Sequence, residues 1–159
     1  MQVSVRKLSH IILHVSDMEK SLKFYRDILG LEFVFETTSE DLGDGAAVMT
    51  GSDGPGFRVA GCLVGGGVIL ELTEGINTAI RAGADDSYII ALNVADIEEA
   101  HRQILEAGVS PLMSPMEVMP GIKMFFVQDP DGRQIEFVEF PGGATTSAEY
   151  NERRKDYDI

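Results

Sequence analysis

The chain has 159 residues and a mass of 17.3 kDa, which is room for one domain or for two small modules sharing a core. Its 26 Asp and Glu residues outnumber 13 Lys and Arg residues, so the formal net charge is −13. A surface this negative repels phosphate backbones and anionic headgroups, and we expect neither nucleic acid nor membrane as a partner. The apolar fraction of 44% is that of a globular protein and argues against disorder.

The single cysteine, Cys62, excludes an intramolecular disulfide and a cysteine-based zinc site. No apolar run in the sequence approaches the ~18 residues of a membrane span. The run that follows Arg6 and Lys7 is also too short for a signal peptide. These features predict a soluble protein of the reducing cytoplasm.

An internal repeat organises the chain. The segment VSDME at 15–19 recurs as VADIE at 94–98, and each copy follows an apolar run. Each copy also leads into a helical pattern that ends at a glycine, Gly30 in the first and Gly108 in the second. The aspartate of each copy is a predicted N-cap and each glycine a predicted C-cap.

The predicted strands, in chain order, cover 10–15, 31–37, 57–64, 68–74, 89–94, 109–113, 122–127 and 134–140. Asp129–Gly132 (DPDG) has the signature of a type I turn between the last two strands. The predicted fold class is α+β, with two duplicated βαβββ modules whose curved mixed sheets form a cleft. The predicted boundaries are a first module at 1–75, a linker at 76–86, a second module at 87–141 and a tail at 142–159. We predict a loop at 39–56, and a solvated tail with a short helix near 148–155.

Three polar residues stand in strands that are otherwise apolar. Glu71 and Glu136 occupy equivalent positions in the last strand of each module, and His10 opens the first strand. A sheet covered by one helix leaves one face open, and burying an unpaired carboxylate there costs free energy. A carboxylate at such a position therefore points to a functional role. One His and two carboxylates from separate strands make a plausible site for Zn, Ni, Mn or Fe(II).

Several of these stretches resemble the vicinal oxygen chelate (VOC) superfamily, which includes glyoxalase I, methylmalonyl-CoA epimerase, extradiol dioxygenases, fosfomycin-resistance proteins and bleomycin-binding proteins. The stretches that carry the resemblance are 10–17 (HIILHVSD), 24–25 (FY), 29–31 (LGL), 126–132 (FVQDPDG) and 135–139 (IEFVE). The resemblance covers residues 6–141, nearly everything but the tail. It is specific for the superfamily and weak for any one member.

In metal-using members of the superfamily, the ligands come from the first and last strands of each module. The resemblance therefore implies His10, Glu71 and Glu136 as metal ligands, with Ile89 in the place of a fourth, usually His. Glu71 and Glu136 are also the candidate catalytic residues: one of them would move a proton while the metal polarises a carbonyl or enediolate. His14 lies ~13 Å along the strand from His10, too far to share a metal, and is a better candidate for substrate contact.

The segment 113–124 contains four of the seven methionines. Methionine gives a ligand site an adaptable apolar wall, although these side chains could equally fill the end of the core. If they line the cleft, the ligand is apolar or aromatic rather than an anion such as glutathione, CoA or a phosphonate, as the negative net charge also favours. The candidate substrate-binding residues are His14, Asn93, Met116, Met119 and Lys123.

Two functions remain open from the sequence. The first is a divalent-metal-dependent enzyme (isomerase, epimerase, lyase or oxygenase) acting on a small, rather apolar substrate with vicinal oxygens. The alternative is a metal-free ligand-binding or sequestering protein of the bleomycin-resistance type. The missing second His makes ring cleavage a weak candidate, no nucleotide cofactor is expected, and the resemblance implies a homodimer.

Overall fold

A computed structural model of the chain describes residues 4, 6–42, 56–75 and 88–156. The chain divides into two units, Met1–Gly83 and Ala84–Ile159. Most of the predicted loop at 39–56 and the whole predicted linker at 76–86 lie outside the described residues.

The first unit carries one four-stranded mixed sheet. Its strands have the order β1-β4-β3-β2, with β1 parallel to β4 and the other neighbours antiparallel. A helix follows β1 and runs on without a break into π-helical turns at Lys23–Ile28. The elements are β1 (His10–His14), α1 (Met18–Leu22), β2 (Glu32–Thr38), α2 (Ser39–Leu42), β3 (Arg58–Val64) and β4 (Val68–Glu74).

The second unit repeats this topology. Its strand order is β5-β8-β7-β6, again with the first and last strands parallel. The elements are β5 (Ile90–Asn93), α3 (Ile97–Glu106), β6 (Met116–Met119), β7 (Ile122–Gln128), β8 (Gln134–Glu139), a 3₁₀ turn (Pro141–Gly143) and α4 (Ser147–Asp156). The α+β class with two four-stranded mixed sheets is confirmed.

The predicted N-caps are confirmed, and each predicted glycine lies one residue after the C-cap, which is Leu29 in the first helix and Ala107 in the second. The Asp17 carboxylate accepts a hydrogen bond from the backbone N–H of Lys20, and Asp96 accepts from the two residues after Ile97. Gly30 and Gly108 have φ of 69° and 79°, a conformation that glycine adopts without strain. The repeat thus specifies where each long helix starts and where the chain leaves it.

A second glutamate in each last strand also contacts a helix start. Glu74 Oε1 accepts from the backbone N–H of Met18 at 2.8 Å, and Glu139 Oε2 accepts from that of Ile97 at 2.8 Å. These acceptors satisfy N–H groups that a helix leaves unpaired at its N-terminus. Because neighbouring side chains alternate across a strand, Glu74 and Glu139 lie on the opposite face from Glu71 and Glu136.

The core of each unit lies between its helix and one face of its sheet. In the first unit, α1 packs against β4, and in the second α3 packs against β7 and β8. The Phe125 ring stacks on Phe137 with 4.9 Å between centroids. The buried apolar strand residues on these helix-covered faces include Leu13, Ala60, Cys62, Leu70, Leu72, Ile90, Phe125, Val127, Ile135 and Phe137. The other face of each sheet is called its open face below.

The predicted sixth strand is wrong. No strand forms at 109–113, and β6 lies at Met116–Met119, which pairs with β7. Pro111 has no N–H to give to a ladder, and the N–H of Val109 is used by Ile104 O at the end of α3. Leu112 N–H still donates to Phe126 O on β7 at 2.8 Å, so the segment contacts the edge of the sheet without forming a strand.

The predicted turn between β7 and β8 is confirmed and contains a buried ion pair. Gly132 N–H donates to Asp129 O at 2.9 Å, closing the turn. Asp129 Oδ1 accepts from the N–H groups of Asp131 and Arg133, and Arg133 Nη1 lies 3.0 Å from Asp129 Oδ2. Arg133 and Asp129 are only 4% and 5% exposed. The pair therefore ties the ends of the two strands together.

The tail differs in part from the solvated segment predicted. Its helix is present as α4, close to the predicted 148–155. Ala144 before it is buried, however, because the chain turns back onto the second sheet. Within the described residues, none of the helices has the length and apolar character that crossing a bilayer requires.

Candidate functional site

Glu71 lies at the centre of the open face of the first sheet. Its register partners are Ile12 on β1 and Gly61 on β3, and Gly61 in turn pairs with Phe35 on β2. Paired residues project to the same face of a sheet, so these four form one row across the strands. No hydrogen bond or ion pair joins Glu71 to another described residue. Its carboxylate is therefore available to a ligand.

Two histidines flank this carboxylate along β1. His10 and His14 stand two residues before and after Ile12, which places each Cα about 8 Å from that of Glu71. His10 Nδ1 lies 2.9 Å from Ser9 Oγ, and His14 Nδ1 lies 3.0 Å from Thr73 Oγ1. The contact of His10 through Nδ1 leaves its Nε2 to face a ligand, and this is how metal-ligating histidines are oriented.

The Phe35 ring covers the gap that Gly61 leaves beside Glu71. A Cβ placed on Gly61 would lie 2.3 Å from Phe35 Cε1 and 2.7 Å from Cδ1, well inside contact distance. Glycine is therefore required for the ring to reach across β3. The ring gives the carboxylate an apolar neighbour, a feature that sequence reasoning missed.

Replacing Gly61 by alanine is expected to displace this ring and to lower the free energy of unfolding by about 1–3 kcal/mol, the usual cost of overpacking. Urea unfolding of Gly61→Ala measures the loss. Gly65→Ala is the matched control, since a Cβ there meets nothing within 4 Å. In a Phe35→Ala background the Gly61→Ala change should cost much less, and equal costs in the two backgrounds would disprove the contact.

Glu136 occupies the same place on the second sheet. It pairs with Ala91 on β5 and with Phe126 on β7, so here the aromatic neighbour comes directly from the adjacent strand. Burial raises the pKa of the Glu136 carboxyl above its ordinary value. No described residue forms a hydrogen bond or ion pair with it. A half-buried carboxyl without a partner is typical of a functional group rather than a structural one.

The second sheet lacks the nitrogen donor that the first sheet has. Ile89 stands two residues before Ala91, as His10 stands two residues before the partner of Glu71. Its side chain is 47% exposed and carries no donor atom. The first sheet therefore has a histidine two residues from the partner of its glutamate, and the second has an isoleucine there, in the residue just before β5.

The other predicted substrate contacts divide between the faces. Met116 pairs with Met124 and Met119 with Ile122, which places both methionines on the open face with Glu136, each about half exposed. Lys123 pairs with Glu139 and projects to the helix-covered face, away from Glu136.

Asn93 uses its amide within the protein. Its Nδ2 donates to Val138 O at 3.1 Å and to Ala144 O at 3.5 Å. Asn93 pairs with Val138 on β8, and His14 pairs with Thr73 at the equivalent place on β4. Asn93 is therefore the counterpart of His14 in the second sheet.

The predicted metal ligands fit a divalent ion in kind but fall short in number. A His nitrogen and carboxylate oxygens are ligands that Zn²⁺ and related ions accept. His10 and Glu71 share one face of one sheet, and Glu136 is alone on its own. Within 6–42, 56–75 and 88–156, no three His, Cys, Asp or Glu side chains cluster closely enough to hold a metal.

Positive charge is placed away from both open faces. The strands carry two basic residues among those described, Arg58 and Lys123, and both project to helix-covered faces. Arg58 contacts Glu19 and Glu36. The further ion pairs are Lys20–Asp17, Arg26–Asp27, Arg102 with Glu99 and Glu106, Arg133 with Asp129 and Asp131, and Arg153–Glu149.

Comparison with known proteins supports this arrangement at the level of the family. The family model for the Glyoxalase/Bleomycin resistance protein/Dioxygenase superfamily matches residues 7–137. A lactoylglutathione lyase from Neisseria meningitidis serogroup A is 30% identical over 144 residues, covering 86% of this chain and 93% of the relative. A probable lactoylglutathione lyase from Synechocystis is 29% identical, with 83% and 94% covered.

Solved structures agree. A member of the same superfamily from Sphaerobacter thermophilus aligns with a TM-score of 0.61 at 27% identity, covering 85% of this chain and 98% of the other. A glyoxalase/bleomycin resistance protein/dioxygenase from Nocardioides also has a TM-score of 0.61, at 18% identity, with 92% and 91% covered, and shows the shared fold. The chain belongs to the Glyoxalase/Bleomycin resistance protein/Dioxygenase superfamily, the VOC superfamily.

Proposed function

We propose that the chain is a divalent-metal-dependent enzyme, a lyase or isomerase, that acts on a small and rather apolar substrate with two adjacent oxygen atoms. The observation that carries the proposal is the pair of equivalent carboxylates, Glu71 and Glu136. Each stands in the middle of an open face without a partner among the described residues. The name lactoylglutathione lyase, which relatives of up to 30% identity bear, supports a lyase.

In this proposal the metal ligands are those that the resemblance implies, His10, Glu71 and Glu136, which do not form a cluster in the part of the chain that the structure describes. When bound, a divalent ion polarises a substrate carbonyl oxygen and stabilises the negative charge that develops on it. Ile89 leaves the ligand set one donor short. We therefore expect weaker metal binding than a four-ligand site gives.

A glutamate moves the proton. Glu136 is the better candidate of the two, because burial raises the pKa of its carboxyl in the metal-free protein. Phe126 is its register partner on β7 and gives the carboxyl an aromatic neighbour. Glu71, with His10 beside it, is assigned to binding and orientation.

The open faces suit an uncharged ligand. Ile12 and Met116 expose 44% and 49% of their surface there, with Phe35 and Phe126 beside the carboxylates. Both strand-borne basic residues are on the other faces, and the net charge of −13 disfavours anions further. We propose His14, Met116 and Met119 as substrate contacts.

Dimerisation is a separate proposal. It is supported by the resemblance, since many members of the superfamily assemble as homodimers. A cytoplasmic location is also proposed, and the single cysteine, a buried free thiol, supports it.

Metal content is the direct test. Protein purified without chelator is analysed for metals and then titrated with Zn, Ni, Mn and Fe(II) while its melting temperature is followed. Binding to the folded state should raise the melting temperature with metal concentration. Less than about a tenth of a metal per chain, with no thermal gain for any ion, would reject the metal-dependent function.

Introducing histidine at position 89 should strengthen metal binding. Ile89→His places a ring nitrogen two residues from the partner of Glu136. We expect metal affinity to rise at least about tenfold, because changes to residues that only contact the ligands already alter metal affinity by about 10–100-fold. Competition against a chromogenic chelator measures it. Tyr88→His is the matched control, since it adds the same group on the neighbouring, 41% exposed residue, which alternation directs to the other face. An equal gain in both variants would contradict the ligand assignment.

The incomplete ligand set also favours a second candidate, a metal-free protein that binds or sequesters an apolar ligand. Ile89 and the absence of a three-residue ligand cluster in the described parts of the chain support it. Tight binding of an apolar ligand to protein stripped of metal, undiminished in His10→Ala, would favour this function.

A further inference from the structure

A short strap of chain, Pro141–Ala144, covers one end of the open face of the second sheet. Asn93, the last residue of β5, donates from Nδ2 to Val138 O on the sheet and to Ala144 O on the strap. Ala144 is only 2% exposed. At the other end of the strap, a Cβ on Gly121 would lie 2.8 Å from Pro141 Cβ, so the strap is pressed against the β6–β7 turn.

Helix α4 holds the strap from outside. Arg153 donates to Gly142 O, and the Tyr150 ring stacks on Phe140 with 5.5 Å between centroids. Thr146 Oγ1 accepts from the N–H of Glu149, while the Glu149 carboxylate accepts from Thr145. The side chains of α4 that are described are exposed or half-exposed, so this helix contributes contacts to the strap rather than an apolar face to the core.

The strap ends next to Glu136. Asn93 stands two residues beyond Ala91, the partner of Glu136, and Val138 stands two residues beyond Glu136 itself, about 7 Å along the strand. Val138 is 6% exposed and Ile122, on the same face, is 8% exposed. The open face is therefore covered at this end over β7 and β8, while Asn93 on β5 stays exposed, and Glu136 is the first polar residue on β8 outside the covered part.

We infer that the strap is an end wall of the candidate site and that Asn93 is the positioning residue that holds it there. The wall limits the ligand at Glu136 to compact molecules. This inference rests on the proposed function only in taking this face as the one that receives the ligand. It requires neither metal nor turnover.

Cysteine labelling at position 136 measures the size limit directly. Glu136→Cys is reacted with N-methylmaleimide and with the bulky N-(1-pyrenyl)maleimide, and each rate is divided by the rate for free cysteine. The ratio of bulky to small reagent should be low. Asn93→Ala should raise this ratio at least about tenfold, since loss of the anchor lets the strap open locally.

Two further substitutions test whether the effect of Asn93→Ala comes from losing the hydrogen bond to the strap or from losing any asparagine amide. Asn93→Asp keeps the shape of the side chain but removes the amide donor, and it should behave as Asn93→Ala does. Asn151→Ala is the matched control: the Asn151 amide donates to Ser147 O within α4, and its loss should leave the ratio unchanged. Amide hydrogen exchange at 142–146 should quicken only in the Asn93 variants.

Cys62 reports unfolding during the same experiment. It is fully buried in the first unit, so its labelling, located by mass spectrometry, identifies molecules in which that unit has unfolded, and urea unfolding of each Asn93 variant checks the second unit. If the Asn93 variants unfold, Gly142→Ala replaces them, because φ of 68° at Gly142 strains any other residue and loosens the strap without touching the sheet. A ratio that stays low while 142–146 exchange rapidly overturns the inference, as does a high ratio with the strap in place.

Discussion

Replacing Glu136 by alanine is expected to lower the affinity for divalent metal at least about 100-fold, since changes outside the ligand shell alone cost roughly 10–100-fold. Glu136 is the sole ligand that the proposal takes from the second sheet, and Ile89 offers no substitute. Isothermal titration with Zn²⁺ or Ni²⁺ measures the loss. His10→Ala should behave similarly.

Glu98→Ala is the control for this loss, because Glu98 is an exposed glutamate on α3. It should leave the affinity as it is. Metal binding that persists in both Glu136→Ala and His10→Ala would show that the ion is held elsewhere and that the ligand assignment is wrong.

The stability of Glu136→Gln should vary with pH in a definite direction. The pKa of Glu136 is raised in the folded protein, so the folded state binds the proton more tightly than the unfolded state does. Ionisation of this carboxyl therefore lowers the free energy of unfolding. The loss begins as pH rises through the unfolded pKa and is complete above the folded pKa. Glu136→Gln, which cannot ionise, should gain stability relative to the parent as pH rises above about 4, the ordinary pKa of a carboxyl.

Asp129→Ala is expected to have the largest effect on folding, a loss of about 3–5 kcal/mol in the free energy of unfolding. Arg133 is only 4% exposed, and the change removes the carboxylate that lies closest to its guanidinium. It also removes the acceptor for the N–H groups of Asp131 and Arg133. Urea unfolding at neutral pH measures the loss.

Two companion variants divide this effect. Asp129→Asn keeps an oxygen for the backbone donors and loses only the charge, so it should cost less than alanine. Asp131→Ala removes a longer ion-pair contact, 3.6 Å from Arg133, and should cost less again. If Asp131→Ala cost as much as Asp129→Ala, the Asp129–Arg133 pair would not be the main contribution.

Much of the fold can be predicted from the sequence because the internal repeat shows the same pattern of elements in both units. The aspartate caps, the closing glycines and the last strands β4 and β8 depend on local patterns, and local patterns fix helix ends and strand periodicity. The sixth strand was misplaced because 109–113 is apolar enough for a strand. Two prolines, Pro111 and Pro115, and the pairing partner at Met124 decide otherwise.

The candidate site was only partly readable, for a physical reason. Alternation within one strand predicts the face of Glu71 or Glu136, but contacts across strands depend on register. Phe35 reaches Gly61 through a register shift between Phe33 and Phe35 that the sequence does not display. The methionine-rich segment predicts a ligand contact for Lys123, whereas its position in β7 directs it to the helix-covered face.

The two glutamates of each last strand have different structural roles, so one can be replaced without disturbing the other. Glu74 and Glu139 accept hydrogen bonds at helix starts, whereas Glu71 and Glu136, three residues earlier, form none with the described residues. Substitutions on the open faces therefore leave the helix anchors intact. A scaffold divided in this way can change residues on its open faces and still fold, so its chemistry can be re-engineered at positions that do not anchor the helices.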